Sequence, residues 1–171
     1  DQAPEYSTAD ATLWLIEATR AYFAATGDRD LVRQLWPTLG EILAWHLRGT
    51  RHAIHCDPSD GLLYAGEPGV QLTWMDAKVD GWVVTPRIGK PVEINALWYN
   101  ALCVLADLAG VLGLTQEQGP LQTRARLVRD SFARFYSPRH GYLLDVLDGR
   151  SASTAAEAET AAPTDDAKQG V

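Results

Sequence analysis

The chain has 171 residues, enough for one domain with a core of its own. Its formal net charge is −7 and it carries no basic stripe, which excludes nucleic acid as an expected partner. Two cysteines, Cys56 and Cys103, build no disulfide framework. No apolar run reaches the length of a membrane span, no membrane partner is implied, and no signal peptide is visible. A reducing cytoplasm is the simplest compartment, although a chain that opens on Asp1 rather than Met says little about a leader.

Residues 1–6 read as a lead-in, and Ser7, Thr8 or Asp10 can cap a helix. Positions 11–26 are apolar around most of a helical circumference, which predicts a helix buried on most sides and closed by Gly27. A second helix follows over about 31–48, capped by Asp30. It is amphipathic through Leu31, Leu35, Leu39, Ile42, Leu43 and Leu47, and Pro37 and Gly40 weaken its middle. Residues 49–91 keep no helical period. They read as a long functional loop, with turn chemistry over 57–61 and small strands at 62–64 and 82–84. Val92 to Leu112 is predicted helical and mostly buried, ending at Gly113. A fourth, amphipathic helix covers about 116–136, with Gly119 and Pro120 predicting a late start, and 142–147 suits a short strand or hairpin arm. From Ser151 the composition loses its large apolar residues, which predicts disorder over 150–171 beside a folded domain over 1–149. The order is buried helix, amphipathic helix, long loop, buried helix, amphipathic helix. Leu13-Trp14 and Leu97-Trp98 fall at similar places, a faint repeat of a helical hairpin. Nested inner and outer helices of this kind make an all-α fold with minor β hairpins, patterned as an α/α toroid.

The loop and the start of the third helix carry the chemistry. Trp74, Trp82 and Trp98 stand among Asp76, Lys78, Asp80, Arg87, Lys90 and Glu93, a mixture that is costly in a plain core because each charge needs a partner or water. A sugar site needs this mixture: aromatic faces for pyranose rings, polar groups for hydroxyls, carboxylates for glycosidic chemistry. Asp76 follows Trp74 and Met75, so apolar cover would raise its pKa as a general acid requires; equally, it fits a loop aspartate paired with Lys78 or Arg87. Glu93 opens the third helix, where the dipole favours a carboxylate, and it can also accept from sugar hydroxyls. Asp10 holds the same place on the first helix and carries the same two readings. Arg87, Lys90 and Lys78 can donate to hydroxyls, and Arg87 and Lys90 can instead hold Asp76 and Glu93 in place. Trp14, Trp74 and Trp98 are candidates for stacking on sugar, with core packing the ordinary role of a helical tryptophan. His52, His55, Cys56 and Asp57 match no standard metal spacing.

The run Trp74-Met75-Asp76-Ala77-Lys78, then 82–100 (WVVTPRIGKPVEINALWYN), resembles the signature of the glycogen debranching enzyme C-terminal (amylo-α-1,6-glucosidase) domain. The similarity reaches upstream through 7–14 and downstream to about Gly149. The resemblance implies a closed toroid of six helical hairpins, of which this chain is expected to hold two. It implies hydrolysis of α-1,6-linked glucosyl stubs on glycogen or related branched α-glucans, with Asp76 at the position of the general acid and no cofactor. An inverting enzyme sets its two carboxyl groups roughly 6.5–9.5 Å apart. The general base of similar toroid glycosidases comes late in the chain, and Glu157 and Glu159 are poor choices, so the base is expected beyond Val171, with the remainder of the chain completing the ring. By this reading the isolated chain is inactive. A trehalase-like hydrolase, a sugar phosphorylase or a non-catalytic glucan-binding domain is the alternative.

Overall fold

The computed structural model describes residues 8–149, so Ser7 and the low-complexity stretch from 150 lie outside the described residues. The chain is predominantly helical. Helix α1 spans Ala11–Thr26, α2 Arg29–Arg48, α3 Val92–Leu112 and α4 Thr115–Phe132. They form two helical hairpins, α1 with α2 and α3 with α4, and α3 packs on all three others. Gly27 and Gly113 close α1 and α3 in left-handed conformation, as their sequence positions predict.

Helix α2 is capped by Asp28 rather than Asp30: the Asp28 Oδ1 accepts from the backbone N–H groups of Asp30 and Leu31 at 3.1 and 2.9 Å. The helix runs unbroken through Pro37. That residue and Arg33, whose carbonyl the proline leaves without its helical donor, are both exposed, so water can take the bond. Helix α4 likewise begins early, five residues before Pro120, because Pro120 and Gln116 are both on the solvent side.

Helix α1 departs from expectation. Only Leu13, Ile16 and Thr19 are buried, while Trp14, Leu15 and Tyr22 are exposed, since among the described residues α2 and α3 cover one side of it alone. Helix α3 is the buried centre: Ile94, Trp98, Leu102, Leu105 and Ala109 are all at the bottom of the accessibility range. It is also long and apolar enough to cross a membrane by length and composition, which the reading of short apolar runs missed. Its burial against three neighbouring helices accounts for that composition.

The strands are pairs of two-residue pieces. β1 (His55–Cys56) pairs with β2 (Leu63–Tyr64), and β3 (Lys78–Val79) with β4 (Trp82–Val83). β5 (Lys90–Pro91) pairs with β8 (Val146–Leu147), and β6 (Tyr136–Ser137) with β7 (Tyr142–Leu143), all antiparallel. Asp80 and Gly81, both at positive φ, make the two-residue turn between β3 and β4. The β5–β8 pair matters most, because it delivers residue 145 to the start of α3. At Gly89 a Cβ would lie 2.6 Å from the Leu147 carbonyl oxygen, so only glycine lets β8 approach this closely.

Candidate functional site

Two helix N-termini meet at one end of the molecule. Asn100 donates through Nδ2 to Glu17 Oε2 at 2.9 Å. Asp10 lies seven residues before Glu17, and Glu93 lies seven residues before Asn100. Equal rise along both helices puts the two carboxylates at the same level, about 10 Å above that contact. The segment 72–74 bridges them. The Ala9 N–H donates to the Leu72 carbonyl at 2.9 Å, and Arg87 donates through Nη1 to Thr73 Oγ1 at 3.1 Å.

Arg87 is the hub of this mouth. Its side chain is 3% exposed. Nη1 and Nη2 grip the two oxygens of Glu93, while Nε and Nη2 grip those of Asp145 at 3.0 and 2.8 Å. With Thr73 included, every guanidinium N–H has an acceptor, so Arg87 has no donor left for a sugar hydroxyl and acts by holding carboxylates. Burial works against its charge, but the bonds it donates to Glu93 and the charges of Glu93 and Asp145 outweigh that and keep its pKa above the ordinary value. The Trp74 ring lies over the guanidinium, its centroid 5.8 Å from Cζ, and is 68% exposed.

Asp76, two residues beyond Trp74, is exposed, so the apolar cover expected from Trp74 and Met75 is not formed around it. The pairing alternative fails as well. Arg87 is saturated elsewhere, and Lys78 Nζ donates to the Gly69 carbonyl at 2.6 Å, pinning the β3–β4 hairpin to its neighbouring loop. Asp76 therefore stands with neither expected cation bound to it. Asp10 is partly buried and accepts from Thr8 Oγ1 and, at 3.2 Å, from the indole N–H of the exposed Trp14. It makes no side-chain cap on α1, so its place at the mouth is not explained by capping.

Two candidates belong to the framework instead. Trp98 is fully buried, donates from Nε1 to the Gly61 carbonyl at 3.0 Å and stacks on His46 at 5.4 Å; it presents no face to a ligand. Lys90 is equally hidden. Its ammonium donates to Asp57, Asp60 and Asp148, each at 2.8 Å, which uses all three of its protons. Asp145, the second carboxylate on Arg87, was missed. Its partner Arg87 is 58 residues earlier, and the one local signal was a carboxylate set between apolar strand residues at 142–147.

The sequence model of the family Amylo-alpha-1,6-glucosidase matches residues 1–158. The chain belongs to the amylo-alpha-1,6-glucosidase family. This is the family of the glycogen debranching enzyme C-terminal domain, as the 74–100 stretch implied. No curated protein matches the chain. The matched span contains Asp10, Trp74, Asp76, Arg87, Glu93 and Asp145, and a family of glucosidase type suits carboxylates grouped near an exposed indole.

Proposed function

We propose that the chain carries the acid side of a glucosidase site that hydrolyses α-1,6-linked glucosyl stubs on glycogen or related branched glucans, in the cytoplasm and without a cofactor. The observation that carries this reading is Asp76: an exposed carboxyl two residues beyond an exposed indole that lies over Arg87, the guanidinium gripping Glu93, with neither Lys78 nor Arg87 bound to the Asp76 carboxylate. The stacked sugar supplies the cover that the free protein lacks. Asp76 then gives its proton to the glycosidic oxygen as the bond from that oxygen to the anomeric carbon breaks. Water attacks the same carbon from the opposite face, and its proton goes to a second carboxylate from outside the described residues. Glu93 and Asp10 accept from hydroxyls of the departing glucose, with Trp74 and Trp14 against its faces, and Lys78 holds the hairpin that carries Asp76.

The two helical hairpins are, in this reading, neighbours in a six-hairpin toroid. A flanking hairpin from the remainder of the chain covers the Leu15 and Tyr22 side of α1, which is otherwise a costly apolar exposure. Two free cysteines suit a reducing compartment.

The test is glucose released from a phosphorylase-trimmed branched dextrin by the full-length protein and its Asp76→Asn variant. A loss of about 10²–10⁴-fold with dextrin binding retained supports Asp76 as the acid. Equal release from both removes it from that role. Binding without release in either favours a glucan-binding domain, and release that depends on added phosphate favours a phosphorylase.

A further inference from the structure

Glu93 alone is enough to neutralise Arg87. Asp145 adds a second carboxylate to the same guanidinium, giving the trio a net charge of −1, and its side chain is 60% exposed against 32% for Glu93 and 3% for Arg87. With Glu93 already paired to Arg87, a second carboxylate that is itself this exposed adds little to stability, and a surplus charge needs another reason to be there. The backbone of residue 145 is held independently. The Val92 N–H donates to the Asp145 carbonyl at 3.0 Å, and β5 pairs with β8 through Pro91 and Val146. The strand would stay in place with any side chain at 145, so the carboxylate is not what docks it.

The arrangement of the acceptors is specific. Glu93 Oε2 and Asp145 Oδ1 bond one nitrogen, Nη2, at 2.6 and 2.8 Å, so they are no further apart than the sum of those distances. Each carboxylate oxygen keeps a second lone pair, and both side chains are partly open to solvent. Two fixed acceptors at that spacing can take protons from two hydroxyls of one pyranose ring, with the exposed Trp74 ring beside them to lie against its face. The net negative charge favours a neutral, donor-rich polyol and disfavours an anionic sugar.

We propose that Asp145 is a substrate-binding residue, accepting from one hydroxyl of the terminal glucose while Glu93 accepts from another, with Arg87 positioning both. The inference rests on the glucosidase reading for its substrate, but its geometry requires only a neutral hexose.

The experiment is calorimetric binding of glucose and of its 2-, 3-, 4- and 6-monodeoxy analogues to the full-length protein and to its Asp145→Asn variant, with thermal unfolding and dextrin hydrolysis measured alongside. Losing a hydrogen bond to a charged acceptor weakens glucose binding about 10- to 100-fold. The expected result is that penalty for glucose, its disappearance for a single deoxy analogue, and an unchanged unfolding midpoint. A penalty equal across all analogues, no penalty, or no glucose binding by the parent overturns the assignment. If the parent binds glucose with the analogue-specific coupling yet releases none from dextrin, the glucosidase reading fails and the hydroxyl contact stands.

Discussion

Replacing Lys90 by methionine removes the charge at the centre of a buried ion cluster while nearly keeping the side chain's length. The side chain is 3% exposed and its ammonium touches three carboxylates at 2.8 Å; Arg134 touches two of the same three, Asp60 and Asp148. Breaking a buried pair by removing one partner costs about 3–5 kcal/mol, because the surviving charge is stranded. Here the stranding is partial. Asp57 and Asp148 are 30% and 46% exposed and can rehydrate, whereas Asp60 is 12% exposed but keeps Arg134. The expected loss is therefore smaller, about 2–3 kcal/mol. At a urea slope of about 2 kcal/mol/M that lowers the unfolding midpoint by about 1–1.5 M at neutral pH. Adding Asp60→Asn should return part of the loss, since it removes the charge most deprived of water. A midpoint for Lys90→Met within about 0.2 M of the parent would refute the reasoning, showing that desolvation of the ammonium already cancels its three bonds.

Gly89→Ala places a Cβ against the Leu147 carbonyl at a φ of +135°, and is expected to cost at least about 2 kcal/mol, read from urea unfolding. Trp98→Ala and Trp74→Ala should part company. The buried indole costs about 3–5 kcal/mol of stability, while the exposed one shifts stability by less than about 0.5 kcal/mol and weakens dextrin binding instead. Acid should destabilise the chain through named groups. Lys90 holds the carboxyls of Asp57 and Asp148 below their ordinary range, and Arg20, with Asn100, holds Glu17 at about 2. Depressed carboxyls contribute stability that is present above their unfolded pKa values and lost as pH falls through the folded ones. Thermal midpoints should therefore fall from roughly pH 5 downward, and Glu17→Gln should make that limb shallower down to roughly pH 2.

Much of this protein is written locally. The boundaries of α1 and α3 follow from 3.6-residue apolar periods ended by Gly27 and Gly113, signals carried by a few consecutive residues. The stretch holding Trp74, Asp76, Arg87 and Glu93 is recognisable for the same reason, as an expensive mixture of charge and indole that a plain core would not keep. What the order of residues left open was which partner each charge finds. Lys90 and Arg87 are three positions apart in the same strand approach, yet one is buried among Asp57, Asp60 and Asp148 and the other aims Glu93 and Asp145 outward. Trp14 and Trp98 occupy matching places in two apolar helices, yet one is half-exposed and the other is sealed under Gly61 and His46. Coulombic partners and burial are chosen through space. The loop over 55–64 and the strand at 146–147 reach these residues only when the two hairpins pack, so the roles of Lys90, Trp98 and Asp145 belong to the tertiary structure alone.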